Sequence, residues 1–70
     1  MIFSTRPTVV LASDISVGEA MLLCRIAARR AGQSHKAIDQ FMTDIERAGC
    51  AMAAWRLIEQ RFTVSVVEVG

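Results

Sequence analysis

A chain of 70 residues, 53% apolar and 21% charged with a net charge of +1, describes one globular domain spanning residues 1–70. That composition is globular rather than disordered, and the net charge by itself says little about partners. Such a short chain draws only a few kcal/mol of net stability from its own core, and two cysteines make no disulfide framework, so a homo-oligomer or a bound partner is expected.

Pro7 opens an alternating stretch, Thr8-Val9-Val10-Leu11-Ala12, that predicts a short strand. Ser16-Val17-Gly18-Glu19 fits a capping box, in which the serine hydroxyl accepts an orphan amide and the glutamate reaches back. The first helix should run from Val17 to Ala31, with Gly32 taking the left-handed stop. Ser34 is placed to cap a second helix, along which Ile38, Phe41, Met42, Ile45 and Ala48 keep helical spacing until Gly49 ends it. A third helix from Ala51 to Arg61 groups Ala51, Ala54, Trp55, Ile58 and Phe62 on one face. Residues Thr63 to Val69, rich in valine, predict a second strand.

The predicted fold is a small α+β domain, β-α-α-α-β, built around a helix hairpin with its two terminal strands pairing. If successive elements reverse direction, the strands run parallel through a helical crossover. Two strands alone leave open edges that can pair with another copy or another protein.

No apolar run approaches the ~18 residues of a membrane span, because Arg25 interrupts the longest one. Thr8–Ala12 is too short for a secretory core, and Asp14 follows it closely. The expectation is a cytoplasmic protein with reduced thiols and no membrane partner.

Charge is unevenly spread. No acid lies between Ala20 and Ile38, where Arg25, Arg29, Arg30 and Lys36 fall together with His35. On a helical wheel, Glu19, Arg25, Arg29 and Arg30 define a polar arc on the first helix, and Leu22 and Ile26 fall inside it. Such a helix is apolar nearly all round. It is either buried under the strands or covered by a partner, and arginine beside large apolar groups favours an interface.

The chemistry-bearing residues are few. A structural zinc site wants four Cys or His ligands, whereas Cys24, Cys50 and His35 are the whole supply, without a CxxC pair. Both thiols are expected to pack as small apolar groups, with no metal or other cofactor. Ser34, His35 and Asp39 invite a catalytic reading, but adjacent Ser34 and His35 point in different directions, and a capping serine explains the first of them. No catalytic residue is assigned, and the protein is expected not to be an enzyme.

The segment from Cys24 to Thr43 resembles the helix-turn-helix core of bacterial and phage repressors. Ala28 stands where that family keeps a small residue at the helix crossing, Gly32 makes the turn, and Ile38 anchors the second helix. Ala27, Ala31 and Phe41 occupy apolar positions of the pattern, while Gln33 departs from it just after the turn. The resemblance implies a dimeric DNA-binding regulator. Ser34, His35, Lys36, Gln40 and Thr43 would then contact phosphates or base edges, and Arg25, Arg29 and Arg30 the backbone.

The alternative is a protein-targeting inhibitor or adaptor, of the kind phages and plasmids encode. It would bind through a surface of Leu22, Arg25, Ile26 and Arg29, or through the open strand edge of residues 63–69. The near-neutral charge agrees better with this second reading.

Overall fold

A computed structural model describes residues 6–69. The order is β1 (Thr8–Ala12), α1 (Val17–Arg30), α2 (His35–Glu46), α3 (Ala51–Arg61) and β2 (Thr63–Val67). The two strands pair in parallel, Thr8 opposite Thr63 through Ala12 opposite Val67, so the expected β-α-α-α-β domain is the one that forms. The second strand is shorter than expected. Beyond Val67 there is no residue of β1 left to pair with, and the Val69 amide instead bonds the Ser13 hydroxyl at 3.3 Å.

The helix boundaries follow from local chemistry. Ser16 accepts from the Glu19 amide, and Ser34 accepts from the Ala37 amide at 3.1 Å. The first helix stops at Arg30 rather than Ala31, because Ala31 serves as the C-cap. Gly32 follows with φ of 81°, so that its amide reaches the Arg29 carbonyl and the Gln33 amide reaches the Ala28 carbonyl. That is a Schellman closure, and it needs the left-handed residue that glycine supplies cheaply.

α1 lies against β1, α3 lies against β2, and α2 packs on both other helices. The core they enclose holds Val9 and Leu11 from β1, Ile38, Phe41 and Ile45 from α2, and Ala54, Ile58 and Phe62 from the α3–β2 corner. Phe41 meets Phe62 edge to face, with ring centroids 5.1 Å apart, which ties α2 to the start of β2. On α3 the expected apolar face is only partly buried: Ala54 and Ile58 are enclosed, Trp55 is half-buried, and Ala51 is exposed in the first turn.

Two arginines hold the periphery. Arg6 donates to the carbonyls of Glu59 and Phe62 at 2.6 and 2.9 Å, satisfying acceptors at the end of α3. Arg61 pairs with Asp44 at 2.9 Å and so joins α3 to α2.

Candidate interaction surface on the first strand and helix

α1 meets the core through three small, enclosed side chains, with Val17, Met21 and Ala27 half-buried against it. Ala20, Cys24 and Ala28 are fully enclosed, whereas Leu22, Leu23 and Ile26 are 56%, 38% and 48% exposed. Small inward residues let α1 approach its neighbours closely, and none of the described residues encloses the large outward ones. Of the two readings of Leu22 and Ile26, burial under the strands is therefore the one the fold rejects.

The helical wheel divides the exposed side. With Cys24 at the centre of the buried face, Leu22 and Ile26 point about 160° away on either side. Leu23, Ala27 and Arg30 share one flank, while Arg25 and Arg29 turn to the opposite one. The first flank overlooks the free edge of β1. Between them lies an open groove of about 460 Å³, with Pro7 to Val10 along one wall and Leu23, Ile26, Ala27, Arg30 and Ala31 along the other. The start of β1 thus faces the end of α1, as expected for a helix that doubles back along its strand.

Sequence reasoning placed the apolar surface on Leu22, Arg25, Ile26 and Arg29. Of these only Ile26 lines the groove; Leu23, Ala27 and Arg30 take the place of the others. The missed signal was the set of small residues Ala20, Cys24 and Ala28 at the centre of the inward arc, with Leu22, Leu23 and Ile26 off it. It becomes readable only once the inward direction is known.

The proposed DNA-contacting residues are placed as follows. Arg25, Arg29, Arg30, Ser34, His35, Lys36 and Gln40 are all exposed, but Thr43 is half-buried. Gln40 Nε2 donates to Asp44 Oδ1 at 2.8 Å, so its amide is already engaged along α2. Asp44 is held below the usual carboxylate range by hydrogen bonds from Gln40 and from Arg61. Asp39 and Glu46 are exposed on α2 as well, which mixes acid into that helix's outer face.

The Ser34 hydroxyl is occupied as the α2 cap, accepting from the Ala37 amide, which leaves it serving the helix end rather than a His35–Asp39 relay. The two thiols differ. Cys24 is enclosed, and burial pushes its thiol up to about 12. Cys50, expected to be buried, is exposed instead, because it sits at the N-cap of α3 outside the packed turn. Both are unpaired, and among the described residues no group of three His, Cys, Asp or Glu side chains stands close enough to hold a metal ion. No helix among them is long and apolar enough to cross a membrane.

No family model, curated protein or solved structure matches this chain.

Proposed function

We propose that this chain is a non-enzymatic protein-recognition module whose working surface is the α1–β1 side. The observation that carries the reading is on α1: Ala20, Cys24 and Ala28 are enclosed while Leu22, Leu23 and Ile26 stay exposed, and Leu23 and Ile26 line the groove beside the outer edge of β1. Burying one such side chain on a partner contributes about 1.5–3 kcal/mol, relative to leaving it in water. The arginines around them add charge that steers and selects. A target protein bound here, as by an inhibitor or adaptor, also supplies the burial that a domain of this size lacks.

Duplex DNA is a second reading, favoured by one feature. The start of α2 is exposed and cleanly capped after the Gly32 turn, and it presents His35 and Lys36 next to the basic end of α1. The acids on α2 and the engagement of Gln40 by Asp44 weigh against it.

Two measurements separate the readings. Selection from a random peptide library should enrich binders to the wild-type protein that Ile26→Asp no longer retains. Random duplex DNA, titrated at low and moderate salt, should show no steep salt-dependent affinity. The reverse pair of results would move the function to α2.

A further inference from the structure

We propose that the groove beside β1 receives a single extended segment of the partner protein, which adds to the sheet as a third strand and places a carboxylate at the Arg30 end. The inference rests on the protein-recognition reading above and names what occupies that surface.

Backbone parity defines the edge. The Thr63 amide bonds the Pro7 carbonyl, and the Ser13 amide bonds the Val67 carbonyl. In a parallel ladder these two bonds turn the odd residues of β1 toward β2 and the even ones away. The amides and carbonyls of Thr8 and Val10, with the Ala12 amide, therefore line the open edge. The Ala12 carbonyl is satisfied by the Ile15 amide. Edges are normally blunted by charged side chains, proline or bulges. Neither β1 (Thr8–Ala12) nor β2 (Thr63–Val67) contains a charged residue, a proline or a glycine.

Distances decide between a segment and a second copy. Packed helices lie about 8–10 Å apart, whereas paired strands lie about 4.8 Å apart. Because α1 covers β1 and α3 covers β2, and packed helices stand farther apart than paired strands, α1 reaches over the free edge of β1, where its Leu23, Ile26, Ala27 and Arg30 share the groove with Pro7 to Val10. A second copy paired symmetrically and antiparallel along this edge would bring its own α1 to the same face of the sheet, directly against the first α1. Only a strand without its own helix on that face fits under the overhang.

Charge and shape describe the segment. Its alternate side chains, about 7 Å apart, would enter the groove and meet Leu23, Ile26 and Ala27. Arg30 is the one charged side chain among the described residues lining the groove, and no acid of the chain lies between Ala20 and Ile38. Glu19, on the same flank toward the other end of α1, accepts from the Ser16 hydroxyl at 3.4 Å. The complement is an apolar, alternating strand with an acidic residue next to Arg30.

The probe is a fluorescein-labelled peptide of alternating valine and threonine with a glutamate at each end, followed by fluorescence anisotropy. Binding should weaken about tenfold or more when alternate peptide amides are N-methylated, which removes edge hydrogen bonds and keeps every side chain. Replacing the glutamates by lysines should weaken it about tenfold, and Arg30→Glu should reverse that preference. Ile26→Asp should abolish binding, and Leu22→Asp, outside the groove, should leave it within about twofold; circular dichroism verifies that both variants fold. Binding that ignores N-methylation but still needs Ile26 would overturn the strand and leave protein recognition standing. Equal binding of the lysine-ended peptide would overturn the acidic complement. A dimer that the peptide dissociates would make a second copy the occupant and overturn the segment. Failure of this peptide alone overturns the stated complement, whereas failure of the whole random library as well overturns protein recognition on this surface.

Discussion

α1 and α2 are neighbours of similar length built on opposite plans. α2 buries Ala37, Ile38, Phe41 and Ile45, and exposes His35, Lys36, Asp39 and Gln40, the usual division for a helix on a core. α1 buries Ala20, Cys24 and Ala28 and exposes two leucines and an isoleucine. Hydrophobic burial thus explains the position of α2 from its own residues. For α1 the inward face supplies close approach, and Leu22, Leu23 and Ile26 remain available to something else. The lesson is that a helix can be central to a fold through its small residues while its large ones serve recognition.

The largest contrast should appear in thiol chemistry. Cys24 lies on the enclosed face of α1, whereas Cys50 is exposed, so a disulfide reagent should modify Cys50 at once and Cys24 only after opening of the domain. For a stability of a few kcal/mol the rates should differ by about a thousandfold. Comparable rates would mean that α1 is not docked. Burial pushes the Cys24 thiol from its ordinary 9.0 up to about 12, so its contribution to stability should be complete below the ordinary value and be lost as pH rises toward 12.

Next comes the core of α2. Phe41→Ala removes the edge contact with Phe62 and should cost about 3–5 kcal/mol, enough to leave a domain of this size largely unfolded in a urea titration.

Opposite size changes on the two faces of α1 sharpen the comparison directly. Ala28→Leu crowds an enclosed position and should cost about 1–3 kcal/mol, whereas Ile26→Asp should change stability by about 0.5 kcal/mol or less while removing partner binding. Equal destabilisation by both would show that Ile26 is core. Gly32→Ala, between the two helices, should cost about 1 kcal/mol; a methyl group there meets no atom, so the whole cost is the left-handed backbone.

The smallest effect concerns the α2–α3 side. Asp44 titrates below its ordinary value because Gln40 and Arg61 donate to it, so its stabilisation is present above about pH 4 and is lost as pH falls through the lowered value. Thermal melts of Asp44→Asn should lack that part of the acid-induced decline. Identical acid profiles would show that the Arg61 pair contributes nothing measurable.

Sequence alone determined every element and most of their ends, because the signals are local: Ser16 and Ser34 accept the amides of their own first turns, Gly32 needs only its own φ, and β-branched runs favour extended backbone. It also located the unusual helix, since the wheel of α1 showed Leu22 and Ile26 among arginines before any packing was known. Tertiary structure decided which of those residues matter together. The flank of α1 that meets β1 depends on how far the alanines let the helix descend. That descent, with the parity of the β1–β2 ladder, sets Leu23, Ala27 and Arg30 beside the open edge and turns Leu22, Arg25 and Arg29 away. Contacts such as Arg6 with the end of α3 and Arg61 with Asp44 were also invisible in the chain. They join residues far apart in sequence, and no periodicity encodes a meeting that only the fold arranges.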